Sequence, residues 1–279
     1  MKRFFITLAA LVLAAGLASA QDLESVTAIY NSGAEAYAMG DKAQAVEYFK
    51  KALDQAEGLG EAGKEVVDNC QNSIPGLVLS IAKDMIREKK YAEAIPQLNE
   101  AISFAEKFGN QDVIDEANEY MPKAMIQYGK GLAAAKKYDE AIATFQQVLD
   151  KNAEDGTAAL YMGQALAASG KTEEAVEAYK VASANGQKAV ANKQIATILL
   201  KKAAAQLKAK ELEGAIATAI ESNEYNESAT AYKIAGTAAT SLAKKDEAIT
   251  YLSKYLELSP KAADAEQINA AIDALKKQQ

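Results

Sequence analysis

The chain has 279 residues, 49% hydrophobic and 25% charged, with 31 basic against 38 acidic side chains and a formal charge of −7. A surface of that sign repels phosphate backbones and sets nucleic acid aside as a partner. There is no His and a single cysteine, Cys70, which excludes histidine metal sites, Ser-His-Asp triads, Cys-His nucleophile pairs and any disulfide within the chain.

Four prolines, no Trp and an abundance of Ala, Leu, Lys, Glu and Gln predict an all-α chain. In chain order the first element is residues 1–20. Lys2 and Arg3 precede an apolar run from Phe4 to Leu17, and Ala18-Ser19-Ala20 is a small-residue cleavage pattern. That is the anatomy of a secretory signal peptide, and the run is shorter than the ~20 residues needed to span a bilayer. Gln21 rather than Cys follows the cleavage point, against a lipoprotein. Cleavage after Ala20 would leave a periplasmic or secreted chain without a membrane span, with 29 basic and 38 acidic residues and a net charge of −9.

From there on the sequence repeats. A small residue is followed twelve positions later by Ala and at once by Val or Ile. The pairs are Gly33 with Ala45-Val46, Ala82 with Ala94-Ile95, Gly129 with Ala141-Ile142, Gly163 with Ala175-Val176, Ala203 with Ala215-Ile216, and Gly236 with Ala248-Ile249. Four residues past the middle Ala stands Phe49, Leu98, Phe145, Tyr179 or Leu252, with Ala219 the exception. Tyr91-Ala92-Glu93-Ala94-Ile95, Tyr138-Asp139-Glu140-Ala141-Ile142 and Lys245-Asp246-Glu247-Ala248-Ile249 are near-copies of one phrase. Antiparallel helices approach closely only where neither carries bulk, so small residues mark the crossings and large ones fill the space around them. Gly40-Asp41 and Gly170-Lys171 fall where tight turns should join the two helices.

This pattern resembles the tetratricopeptide-repeat family over roughly residues 24–260. The resemblance implies a right-handed α-solenoid of about six helix hairpins, near 24–57, 61–108, 110–152, 156–184, 188–223 and 227–258, in an array spanning 21–260. The middle alanines are 49, 47, 34, 40 and 33 residues apart, so the 34-residue period is not kept throughout, and the fifth unit matches least. The long units share an inserted phrase: Val66-Val67-Asp68 through Ile74-Pro75 is copied as Val113-Ile114-Asp115 through Met121-Pro122. We read it as extra turns at the start of the first helices of units two and three, with the prolines as kinks or helix starts. Ser259-Pro260 offers an N-cap and a first-turn proline for a capping helix over 261–279.

By resemblance, the first helices line a groove that takes an extended peptide or a helix from another protein. No catalytic residue, cofactor or metal is implied. Helical spacing places Tyr30 and Tyr37 of unit one, Lys83 and Arg87 of unit two, Lys123 and Lys130 of unit three, Gln164 of unit four and Lys208 of unit five on that groove. Lys83, Arg87, Lys123 and Lys130 would form a basic strip suited to an acidic partner segment. Members of the family that clamp a chain's terminal carboxylate use Lys and Asn where Tyr30 and Ala34 stand, so that clamp is not expected. The expected function is a protein-binding scaffold of the bacterial cell envelope. The alternative is a periplasmic binder of a glycan or peptidoglycan fragment, hinted at by Tyr30 and Tyr37.

Overall fold

The computed structural model describes residues 19–277, so the expected signal peptide lies outside the described residues apart from Ser19 and Ala20. Among the described residues there are thirteen α-helices and no strand. They are α1 (Ser19–Ala38), α2 (Lys42–Glu57), α3 (Lys64–Arg87), α4 (Tyr91–Phe108), α5 (Gln111–Ala134), α6 (Tyr138–Lys151) and α7 (Gly156–Ala168). Then follow α8 (Thr172–Ala182), α9 (Lys188–Lys208), α10 (Leu212–Tyr225), α11 (Ala229–Ser241), α12 (Lys245–Leu258) and α13 (Ala265–Lys277).

The chain divides into two compact bodies, residues 19–131 and 132–277. In the first, α1 packs on α2, α2 on α3 and α3 on α4, and α5 as far as Gly131 completes it. Tyr30, Phe49, Val66, Cys70, Ile74, Leu98 and Val113 share its core. In the second body, α6 packs on α7, and the hairpins α7–α8, α9–α10 and α11–α12 follow, each on the one before, with α13 against α12. Its core has two clusters, one around Tyr179, Leu166 and Ile195 and one around Ala215, Ala235 and Leu275.

The middle alanines Ala45, Ala94, Ala141, Ala175, Ala215 and Ala248 are all fully buried. A side-chain carbon at Gly33 would stand 2.8 Å from the Phe49 ring, and one at Gly236 would stand 2.6 Å from Leu252. The small residue of the first helix therefore faces the large residue of the second, and the hairpin closes on that fit.

Each first helix ends in the same turn. The residue five before the middle Ala has a left-handed backbone: Gly40, Lys89, Lys136, Gly170, Lys210 and Ala243, with φ between 56° and 88°. The next residue's N–H then bonds to the carbonyl five back, at 2.8–2.9 Å in all six (for example Lys171 to Leu166). These two features make a Schellman turn, which satisfies carbonyls left over at the helix end.

One expectation is narrowed and one needs correcting. Pro75 and Pro122 start no helix: α3 and α5 begin at Lys64 and Gln111, each runs 24 residues, and the prolines lie inside them. The copied phrase lies in the first half of each helix, and its inward positions correspond: Val66 with Val113 and Cys70 with Ala117 are all fully buried. Ser259-Pro260 does not start the capping helix either. Ser259 closes α12, and α13 begins at Ala265, where the carbonyl of Asp264 accepts the first helical hydrogen bond from Ile268. The cap still turns Ile272 and Leu275 inward, worth ~1.5–3 kcal/mol each by apolar burial.

Candidate partner-binding face

The residues placed on the groove by spacing have different fates. Tyr30 is a correction: it is 1% exposed and packs its ring 5.2 Å from that of Phe49, as part of the core of the first body. Tyr37 is half-buried against the same core. Burial of Tyr30 removes the aromatic pair on which the glycan-binding alternative drew.

Three of the four cations of the expected basic strip are paired within the fold. Lys83 on α3 reaches Glu116 on α5 at 2.5 Å, Arg87 pairs with Asp84 at 2.6 Å, and Lys123 pairs with Glu119 at 2.7 Å. Asp84 also accepts from Lys42 on α2. Burial pushes the Asp84 carboxyl up, but the hydrogen bonds and charges of Lys42 and Arg87 together hold it below the usual range. The hydrogen bond from Lys123 lowers Glu119, and the same bond raises Lys123. Between the two lysines stands Tyr120, its ring centre 5.3 Å from the Lys83 ammonium and 5.7 Å from that of Lys123. Lys130 is half-buried on α5. Lys83, Glu116, Tyr120, Glu119 and Lys123 thus form one cluster in which each of the two ammoniums has a carboxylate partner and lies near the same ring.

The sequence reading missed Tyr120, Glu116 and Glu119. The spacing of Glu119 to Lys123, four residues on one helix, is a readable ion-pair signal. The pairing of Lys83 with Glu116 joins two repeats and has no such local signature.

In the second body, Gln164 and Lys208 are exposed. Around them the first helices show small or short polar side chains to solvent: Ala167 and Ala168 on α7, Ala204 and Ala205 on α9, Thr237 and Ser241 on α11. Among the described residues no three His, Cys, Asp or Glu side chains gather to hold a metal ion. None of their helices is long and apolar enough to cross a membrane.

Buried small-residue crossings, a shared turn after every first helix and hairpins laid one on the next define a helical-hairpin repeat protein. Profiles of the tetratricopeptide repeat match residues 26–58, 132–198 and 229–261. The chain is thus a tetratricopeptide-repeat protein, and such proteins are in general protein–protein interaction scaffolds. No curated protein matches it. Among solved structures it is similar to MamA of strain AMB-1, at 21% identity over 57% of this chain and 83% of that one, with a TM-score of 0.35. It is similar also to PilW, a type IV pilus biogenesis factor, at 16% identity over 71% of this chain and 99% of that one, with a TM-score of 0.34. For PilF of Pseudomonas aeruginosa the values are 16% identity, 90% and 99% coverage and a TM-score of 0.30. Likeness at that level carries no information about function.

Proposed function

We propose that the chain is a non-catalytic interaction scaffold of the bacterial cell envelope, holding a segment of a partner protein along the first-helix face of its repeats. The observation that carries this reading is the exposed face of the second body, with Gln164, Ala167 and Ala168 on α7, Ala204, Ala205 and Lys208 on α9, and Thr237 and Ser241 on α11. Small side chains there let a partner backbone come close, and the helices hold the few polar groups in fixed positions, which lowers the ordering cost of binding. Absence of His leaves the face without the commonest general acid or base. Export rests on Lys2, Arg3, the apolar run and Ala18-Ser19-Ala20, with processing after Ala20 releasing a periplasmic or secreted chain.

The test is site-specific photocrosslinking in cells followed by fractionation. A photoreactive residue at Gln164 or Ala204 is expected to give a discrete protein adduct in the envelope fraction. The same residue at Glu221, exposed on the second helix α10, is expected to give none. Equal labelling from all three positions would overturn the reading.

A further inference from the structure

The second body separates its charges by helix. The first helices α7, α9 and α11 contain no Asp or Glu at all. The second helices α8, α10 and α12 hold Glu173, Glu174, Glu177, Glu213, Glu221, Glu224, Asp246, Glu247 and Glu257. Between Glu177 and Glu211 the chain carries seven lysines and no carboxylate. In a protein with 38 acidic residues, that run concentrates positive charge on one helix.

On α9 the exposed positions Val190, Lys193, Thr197, Lys201, Ala204 and Lys208 recur every three or four residues and so lie on one face, within roughly a quarter-turn of the helix. Unlike the cluster around Tyr120, these lysines are unanswered. Lys193, Lys201 and Lys208 make no ion pair among the described residues, whereas Lys202, on the far side of the helix, reaches Glu173 at 3.9 Å. The neighbouring α11 offers them no carboxylate, and its own Lys233 is engaged by Asp264 at 2.7 Å.

We infer that this face of α9 docks an extended acidic polypeptide segment, which rests on the scaffold reading above and names the chemistry of its partner. Spacing sets the register. A rise of ~1.5 Å per residue puts the lysines about 12 and 10 Å apart along the helix. An extended chain covers those distances in about three to four residues, so the segment presents a carboxylate at every third or fourth position over roughly seven residues. Thr197 and Ala204 lie between the lysines, and the Thr197 hydroxyl already donates to the Lys193 carbonyl at 2.8 Å, so nothing bulky stands in the way. An anionic lipid surface fits less well. Apart from the small Ala204, the stripe has only Val190, 47% exposed, as an apolar side chain to insert between lipids.

The experiment uses the chain from Gln21 to Gln279 and a fluorescein-labelled twelve-residue peptide with Glu at every third position and Ser between. Binding is read by anisotropy, against a peptide of the same composition with its glutamates together at one end. The spaced peptide is expected to bind more tightly, with an affinity that falls as salt rises. Lys193→Gln, Lys201→Gln and Lys208→Gln together are expected to weaken it by about tenfold or more, from three exposed ionic contacts worth a few-fold each. Lys83→Gln is the control and leaves binding unchanged. Unaltered binding by the triple variant overturns the inference. So does tighter binding to phosphatidylglycerol vesicles than to the peptide, or a salt-sensitive dimer of the chain that the triple variant abolishes. If the crosslinks from Gln164 and Ala204 persist while the peptide does not bind, the acidic segment fails and the scaffold reading stands.

Discussion

A side-chain carbon placed on Gly163 of α7 would stand 2.8 Å from two ring carbons of Tyr179 on α8, closer than such contacts occur in folded proteins. Tyr179 is itself fully buried, so its ring has nowhere to retreat. The same offset joins Gly33 to Phe49 and Gly236 to Leu252, again at less than 3 Å. Where the first position is Ala, the second is no longer aromatic: Ala82 corresponds to Leu98 and Ala203 to Ala219. Every aromatic at the second position is thus matched with a glycine at the first, and the fifth unit, with Ala at both, carries the smallest second residue.

Gly163→Ala is therefore expected to destabilise the chain by about 1–3 kcal/mol through overpacking, despite the gain of a better helix former. Pairing it with Tyr179→Leu copies the second unit and should recover part of the loss, as a favourable coupling in a double-mutant cycle. Gly76→Ala is the control. It lies inside α3 with open space around it and should stabilise by up to about 1 kcal/mol. Urea denaturation of the four variants decides the matter.

The hairpin turns hold a second reserve. Lys89, Lys136, Lys210 and Ala243 adopt the left-handed backbone that Gly40 and Gly170 adopt at the equivalent places. That conformation costs an L-residue about 1–2 kcal/mol, and glycine avoids the cost while losing some of the gain to unfolded-state entropy. Replacing each with Gly should stabilise by about 0.5–1 kcal/mol. The sites are distant, so the effects should nearly add. A melting temperature for the fourfold variant no higher than that of the parent would contradict this.

Much of the repeat was readable because its defining residues act locally. Ala45, Ala94 and Ala141 had to be small wherever two helices cross, and the structure buries all of them. The binding face was less readable, for two physical reasons. Whether a lysine is free depends on carboxylates brought in by a neighbouring repeat, as Glu116 is to Lys83. Whether a tyrosine faces out depends on how far a helix is rotated, and Tyr30, three residues before Gly33, turns toward Phe49. The left-handed turns at Lys89 and Ala243 were hidden as well, since neither residue type advertises that backbone. The i to i−5 bond that fixes it is made only once the helix has formed.

Cys70 lies fully buried in the core of the first body, and burial pushes its thiol up to about 12. The thiolate is the reacting form, so in the folded chain at pH 8 the side chain should resist a thiol reagent such as dithionitrobenzoate. Rapid release of one equivalent of chromophore in denaturant, with little before it, is the expected pair of traces. Fast labelling of the native chain would show that α3 opens locally.

The last prediction concerns how the C-terminal helix is held. Asp264, the residue before α13, accepts from Lys233 of α11 at 2.7 Å and from the Tyr255 hydroxyl of α12 at 2.5 Å. The Lys233 ammonium also lies 5.5 Å from the centre of the Tyr255 ring. One carboxylate thus ties the cap to both helices of the last hairpin. The hydrogen bond from Lys233, then that from Tyr255, lowers the Asp264 carboxyl below its ordinary value. A carboxyl lowered in the folded state stabilises fully above its unfolded value of about 3.9, and that contribution is lost as pH falls through the lower folded value. Asp264→Asn should therefore lower the melting temperature at pH 7 and speed hydrogen exchange in α13 more than in α9. Below about pH 4 the parent loses the same contribution by protonation, so the gap between parent and variant should narrow steadily and close. A gap that stays constant from pH 7 to pH 3 would mean that Asp264 acts by shape alone, through the start of the helix, and that its charge does not hold the cap.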